Sequence, residues 1–161
     1  MPAFMKLGDI EGQATDQGHE KWILIESMSA PISRSIPMNA RDQQRTQGST
    51  SLGDVVVVRE LDKSSVKLQE ACANGKFFDE VEIHLCSTLA GKQEPYLTYK
   101  MKNAIITSYS FHGNASGSPL PTEQVSLGFT EIEWTYFAHD TDKGTKGGAV
   151  PGKYNPAKGA S

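Results

Sequence analysis

The sequence has little cysteine, no long apolar run and no surplus of basic residues. Cys72 and Cys86 are its only cysteines. Two are too few for a disulfide scaffold or a four-ligand zinc site, so we expect reduced thiols without metal or cofactor. Apolar runs fall far short of the roughly 20 residues of a membrane helix, and the first residues lack the pattern of a secretion signal. With a net charge of −3 and dispersed Lys and Arg, we expect neither a nucleic-acid nor a membrane partner.

One helix stands out in a sequence that otherwise favours strands. In LDKSSVKLQEACANGK, which spans 61–76, apolar residues recur at helical spacing, Ser64 or Ser65 can cap the start, and Asn74-Gly75 supplies a left-handed stop. These signals predict a helix over about 64–74. GDVVVVRE precedes it and FFDEVEIHL follows it, and both have β character. The sequence therefore predicts one mainly β domain with a flanking helix.

Alternation of apolar and polar residues predicts further strands at 4–7, 21–29 and 81–85. The long stretch 96–111 changes phase near Asn103 and Ala104, which indicates a bulge or bend. Residues 125–136 also change phase, as expected of a strand that serves two sheets or curls in a barrel.

Two segments lack any regular pattern. Residues 30–52 contain two prolines and many polar side chains, which predicts a long loop, and loops of that length usually carry function or are disordered. Beyond residue 138 the chain is rich in Gly, Lys and Pro, so 139–161 is predicted to be a flexible tail after a domain over 1–138.

The motifs that could carry catalysis lack their usual context. GGAVPGK at 147–153 has the spacing of a phosphate-binding loop, but Tyr154 replaces the hydroxyl that would bind magnesium and Asn155-Pro156 prevents a following helix. The four histidines stand in separate segments, and we expect them at exposed or edge positions. The acid pairs of 80–82 and 131–133 are best explained as solvated strand faces. We therefore predict that the protein is not an enzyme.

Three segments of the chain together carry a family resemblance. They are KLGDIEGQATDQGHEKWILIESMS, LDKSSVKLQEACANGKFFDEVEI and EQVSLGFTEIEWTYFAHD, the last of which contains Trp134 and Tyr136. In this order they are similar to the start, the middle and the last strand of the Hcp family, the inner-tube protein of bacterial type VI secretion systems. The ending KYNPAKGAS departs from the tryptophan-containing ending of many members. The resemblance thus covers most of the chain but not its tail.

The resemblance implies a fold and an assembly. The fold is a small β-barrel of two packed antiparallel sheets with one flanking helix. Six copies form a ring with a wide channel, and the rings stack into a tube that carries small effector proteins. A trimeric spike protein caps the tube, and a contractile sheath drives it out. The subunit would be cytoplasmic until ejected and then extracellular.

Two sets of site residues follow from this resemblance. Family members contact cargo through the second strand and its continuation, which here holds Ser27, Ser29 and Ser33, and Ser29 is the preferred candidate. A small polar side chain can hydrogen-bond varied surfaces at little desolvation cost. Ring stacking is a head-to-tail contact that needs a protruding element, for which we propose the 30–52 loop and its charged residues Arg34, Arg41, Asp42 and Arg45.

Two other functions remain open at this point. The domain could be a monomeric barrel that binds a small molecule between Trp22, Tyr99, Phe111 and Trp134. It could also be a thiol hydrolase that uses Cys72 or Cys86, although neither cysteine has neighbours in sequence that would lower its pKa.

Overall fold

A computed structural model of the chain describes residues 1–36, 48–113, 120–140, 142–156 and 158. In this part of the chain the strands are β1 (Ala3–Leu7), β2 (Ile23–Ile25), β3 (Ser27–Ser29), β4 (Ile32–Arg34), β5 (Thr50–Leu52), β6 (Val55–Glu60), β7 (Phe77–Leu89), β8 (Lys92–His112), β9 (Thr122–Gly128), β10 (Glu131–Asp140) and β11 (Thr145–Tyr154). The α-helix found there is α1 (Ser65–Asn74).

Nine of these strands form one antiparallel sheet that curls round on itself. Its path runs β2-β1-β7-β8-β9-β6-β3, with β10 paired to β8 and β11 to β10. The ends of the path, β2 and β3, are joined by Glu26, whose N–H donates to the carbonyl oxygen of Val58 at 2.9 Å. β4 and β5 form a second, two-stranded sheet. The mainly β class is confirmed, but the curl is not a closed barrel. Its two end strands, β2 and β3, are connected through Glu26 in the chain and do not pair with each other by strand hydrogen bonds.

Alternation along the strands places one set of apolar side chains inside the curl. Val55 and Val57 of β6 are fully buried and lie opposite Leu127 and Val125 of β9. Complete burial of such a side chain contributes about 1.5–3 kcal/mol. The interior is therefore a packed core and the main source of stability.

The predicted helix is confirmed, but its first turn is held differently from the prediction. Gly75 ends α1 with a φ of 64°, as expected of a left-handed stop. Ser64 occupies the N-cap position without a side-chain cap. The Ser65 hydroxyl instead accepts a hydrogen bond from the Asp62 N–H at 3.0 Å. Leu68 is buried in the core and packs the helix onto the sheet.

The predicted phase changes are real bends. Asn103 has a φ of 49° and divides β8 into a half that pairs with β10 and a half that pairs with β9. The 125–136 stretch, predicted as one long strand, is instead two strands, β9 and β10, and both pair with β8 in the same sheet. The predicted strand at 21–29 splits at Glu26 into β2 and β3.

Two segments differ from the sequence prediction. The ends of the predicted 30–52 loop pair as β4 and β5, while its centre, 37–47, lies outside the described residues. The prediction of a flexible tail from residue 139 was wrong for Thr145–Tyr154, which forms β11 along β10. Alternation could not reveal β11, because most of its residues are exposed and backbone pairing alone defines it.

Candidate functional site

The candidate cargo residues Ser27 and Ser29 lie on β3 and point away from the core. Both are exposed, while Met28 between them packs against the core. Side chains two residues apart in a strand share a face, so the two serines form one surface.

This surface continues across three more strands. Ser27 lies opposite Val58, and Ser29 lies opposite Val56. The same two rows run on through β9 to β8, where the Ser108 and Ser126 hydroxyls are hydrogen-bonded at 3.0 Å. We call it the uncharged patch, and its members are Ser27, Ser29, Val56, Val58, Ser108, Ser110, Gln124 and Ser126. None of these side chains carries a charge, so the patch can contact varied protein surfaces without desolvating an ion.

Ser33 and Arg34 do not belong to the uncharged patch. They lie on β4 in the separate hairpin, where Ser33 pairs with Ser51 and the Arg34 guanidinium donates to Thr50 Oγ1 at 3.2 Å. Arg41, Asp42 and Arg45 lie outside the described residues. The structure thus brings together two of the three candidate serines and separates the third.

An apolar groove lies between α1 and the end of β8. Val66 of the helix is 68% exposed, and Phe111 of β8 is half exposed. The groove has a volume of about 540 Å³, and its lining residues are Leu61, Asp62, Ser65, Val66, Gln69 and Phe111. Val66 and Phe111 line the same groove, and contiguous exposed apolar surface can mark a protein contact.

A second exposed apolar surface lies on the β10–β11 ribbon. Tyr136 and Val150 are direct register partners, and both side chains are more than half exposed. Among the described strands, β11 pairs with β10 alone, so its outer edge offers backbone groups to another chain. Pro151 and the Lys146 ammonium, which lies 4.0 Å from the Phe137 ring centre, limit indiscriminate pairing there.

Alternating charges cross the outer face of five strands. One row runs Lys6, Glu82, Lys100, Glu133 and Lys153 through β1, β7, β8, β10 and β11. Lys100 Nζ lies 3.7 Å from a Glu82 oxygen. The acid pairs of β7 and β10 therefore face lysines, and the predicted solvated strand faces are confirmed.

A buried ion network fixes the start of α1. Arg59 and Glu123 are 1% and 0% exposed. Arg59 Nη1 lies 2.5 Å from Glu123 Oε1, and Nη2 lies 2.6 Å from Asp62 Oδ2. Burial alone would raise the pKa of Asp62, but hydrogen bonds from Arg59 and Ser64 lower it below its usual range. The prediction missed this network, although alternation places Arg59 on the same face as Val55 and Val57.

The comparisons with known proteins decide the family. A profile of the family described as "Type VI secretion system effector, Hcp" matches residues 4–136. The chain belongs to the Hcp family. Protein hcp1 of Pseudomonas aeruginosa is 27% identical over 152 residues, which span 94% of this chain and 93% of that protein.

Solved structures share the Hcp fold. One, described as the structure of a type six secretion system protein, has a TM-score of 0.90 at 26% identity and covers 98% of this chain and 97% of its own. Hcp1 from Salmonella typhimurium has a TM-score of 0.79 at 20% identity, with 99% and 97% covered. At that lower identity the likeness is one of fold alone.

The Hcp chain does not assemble the other candidate sites. GGAVPGK lies within the extended β11, which is not the strand-to-helix turn that a phosphate loop needs. Burial raises the pKa of the Cys86 thiol to about 11, so this cysteine is a poor nucleophile. In the part of the chain that the structure describes, no group of three or more His, Cys, Asp or Glu side chains could hold a metal ion. No described helix is long and apolar enough to span a membrane.

The four aromatic residues of the proposed small-molecule pocket do not come together in one site. Trp22 packs with Phe4 in a small cluster outside the main core. Phe111 lines the groove beside α1, and Trp134 lies opposite Tyr99 in the ladder of β10 and β8.

Proposed function

We propose that this Hcp-family protein is a tube subunit of a type VI secretion system. Six copies form a ring, rings stack, and the lumen holds small effector proteins. A trimeric spike caps the tube, and a contractile sheath ejects it, so the subunit is cytoplasmic first and extracellular later. The observation that carries the proposal is the presence of two different exposed apolar surfaces on one chain, together with membership of the Hcp family.

A head-to-tail ring requires two dissimilar surfaces, since each subunit offers one to each neighbour. The groove beside α1 and the Tyr136–Val150 surface meet this requirement. One is concave and is lined by Val66 and Phe111. The other is the two-stranded β10–β11 ribbon, whose β11 edge pairs with no further strand among the described residues. We infer that the β10–β11 ribbon of one subunit packs against the α1 groove of the next.

The uncharged patch is the part of the surface best suited to line the channel. It is a pleated surface of hydroxyl, valine and amide groups that carry no charge themselves. Folded effectors of different charge can therefore contact it without a buried ion on the tube side. Ser29 lies at its β3 end, next to the half-buried Val56.

Replacing Ser29 with lysine should leave the ring intact and weaken effector retention. The serine is exposed and its side chain makes no core contact, while the lysine adds length and charge to the proposed lumen wall. We expect at least a tenfold loss of co-purified effector, or about 1.4 kcal/mol. Gln17→Lys adds the same charge at an exposed position outside the patch and should retain the effector. Equal retention in both variants would remove Ser29 from the cargo surface.

The β4–β5 hairpin and the residues between its strands are the proposed stacking element. Deleting residues 38–48 should give single rings that no longer form tubes, with secretion lost, because the ring surfaces lie on other elements. Electron microscopy of purified protein distinguishes single rings from tubes. Deleting residues 115–118, which lie between β8 and β9 in the chain, should leave tubes intact. Normal tubes after the first deletion would assign that loop another role.

A further inference from the structure

A second cluster of side chains lies on the outer face of the sheet under the segment 8–22. Phe4, Ala14 and Cys86 are buried there, and Trp22 packs against them. The segment is held as a hairpin-like turn in which the Gly12 N–H donates to the Lys21 carbonyl oxygen at 2.8 Å. We call residues 8–22 the latch segment.

Two histidines join the latch segment to the sheet. His19 of the segment is 3% exposed, and its Nε2 lies 2.9 Å from Nδ1 of His84 on β7. The His19 ring stacks on Phe4 with centroids 4.4 Å apart. Trp22 packs against the His84 ring at 4.6 Å. The contact is enclosed on several sides by aromatic rings.

The neighbours of the pair determine where its hydrogens lie. His84 Nε2 lies 3.3 Å from a Glu82 oxygen, which favours a hydrogen on Nε2 and leaves Nδ1 as an acceptor. His19 Nε2–H then donates to His84 Nδ1. His19 Nδ1 remains as a bare lone pair, buried and without a hydrogen-bond partner among the described residues. Each N–H group of the pair has an acceptor only while both rings are neutral.

A proton on either ring breaks this arrangement. If His84 Nδ1 gains a hydrogen, either two N–H groups face each other across 2.9 Å, or His19 moves its own hydrogen to Nδ1, where it meets no acceptor among the described residues. If His19 Nδ1 gains one, a charged donor is buried against Phe4 without an acceptor, which is costly. We propose that the His19–His84 pair is an acid-sensitive latch that holds residues 8–22 on the sheet and releases them when it is protonated.

The charged groups around the pair do not reverse this effect. Burial is the largest cause that lowers the pKa of His84, to about 4, followed by His19, Lys146 of β11 and Lys100 of β8. Glu82 favours the charged ring, but it also faces Lys100 Nζ at 3.7 Å.

Burial also lowers the pKa of His19, against the opposing charges of Asp16 in the latch segment and Glu94 on β8. Cys86, the remaining titratable neighbour, has its pKa raised to about 11 and stays a neutral thiol.

The lowered pKa values of the two histidines determine how the stability of the closed latch changes with pH. An open latch exposes imidazoles of ordinary pKa near 6.5, whereas the closed latch holds His84 at about 4. The open state therefore binds more protons between these values. The latch is fully stable above pH 6.5 and loses stability as the pH falls towards 4. His84 alone should raise the opening equilibrium about 70-fold between about pH 7.5 and 4.5.

Cys86 offers a direct test because it is fully buried beneath the latch, with Sγ 3.9 Å from His19 Nε2. Cys72 on α1 is half-buried and serves as the internal reference. The protein is labelled with 4,4′-dithiodipyridine across this pH range, and mass spectrometry follows each cysteine peptide. We expect the ratio of Cys86 to Cys72 labelling rates to rise about 70-fold on acidification. Global unfolding would accelerate both cysteines together.

Three variants complete the test. In His84→Gln protein the increase of the Cys86-to-Cys72 rate ratio on acidification should be at least ten times smaller than in the wild type. In His19→Gln/His84→Gln protein the ratio should not change with pH, although an amide hydrogen bond can still join the two positions. His112→Gln replaces an exposed histidine at the end of β8 and should keep the full rise.

A flat ratio in the wild-type protein overturns the proposal, whether or not the variants fold. An undiminished rise in folded His84→Gln protein overturns it as well. The inference concerns a single chain and does not depend on ring formation.

Discussion

An Arg59→Met protein should lose about 3–5 kcal/mol of its free energy of unfolding. Methionine keeps most of the apolar volume but removes the cation that faces Glu123 at 2.5 Å and Asp62 at 2.6 Å. The Glu123 side chain is 0% exposed, so its carboxylate then remains buried without a cation, and Asp62 also loses its ion pair. Hydrogen bonds from Ser65 and Tyr109 to Glu123 cannot replace a full positive charge.

Urea denaturation at fixed protein concentration measures this loss. Lys100→Met is the matched control, because Lys100 faces two glutamates at 3.6 and 3.7 Å on the exposed charge row. Exposed pairs contribute at most about 1 kcal/mol. Arg59→Met/Glu123→Leu should recover part of the loss, since it removes both charges of the pair. Equal urea midpoints for Arg59→Met and Lys100→Met would show that the buried Arg59 network contributes no more to the free energy of unfolding than an exposed ion pair does.

Val66→Glu should convert rings into monomers without unfolding the chain. Val66 lies on the solvent side of α1, and glutamate has the higher helix propensity, so the isolated fold should not suffer. In the proposed ring, however, the carboxylate would be buried against the β10–β11 ribbon of a neighbour. Lost apolar burial and the new charge should weaken each contact by roughly 3 kcal/mol, more than about a hundredfold in its dissociation constant.

Analytical ultracentrifugation at micromolar concentration follows this conversion. Lys67→Gln changes the net charge by the same amount at the next helix position, where the side chain is exposed and paired with Glu70 at 3.1 Å, and it should leave rings intact. Wild-type rings should also persist in molar salt, because the proposed contacts are apolar and backbone pairs rather than ion pairs. Rings that survive Val66→Glu would exclude the α1 groove from ring closure.

Much of the fold could be predicted because its patterns are local. The Asn74-Gly75 stop and the alternation in GDVVVVRE identify α1 and β6 within a few residues. The phase change at Asn103 identifies the bend of β8, since the residue adopts a φ of 49°. The alternation also places the buried ion pair on the inward face of the sheet. Arg59 continues the inward phase of Val57, and Glu123 shares the phase of Val125.

The rest depends on contacts between residues distant in sequence. His19 and His84 are predicted at exposed or edge positions, but the chain folds residues 8–22 over β7 and buries one ring against the other. No local pattern joins two residues so far apart. β11 was missed for another reason, because TKGGAVPGKY has no buried phase and becomes a strand only through its backbone pairing with β10.

The candidate cargo surface was predictable only in part. The resemblance indicated Ser27 and Ser29, and their alternation with Met28 places them on one face. The neighbours that make this face uncharged, such as Ser108 and Gln124, come from strands whose register no sequence pattern specifies. The resemblance also assigns Ser33 to this surface, as part of the continuation of the second strand, but Ser33 lies in the other sheet.

The mass of the purified particle tests the proposed tube subunit most directly. Native mass spectrometry, or light scattering after size exclusion, compares the assembly with the single chain of 17.5 kDa. A ring of six copies gives six times that mass, and we expect it as the main species at micromolar concentration in moderate salt. A monomer under these conditions would contradict the ring and favour the alternative of a single-chain binding domain.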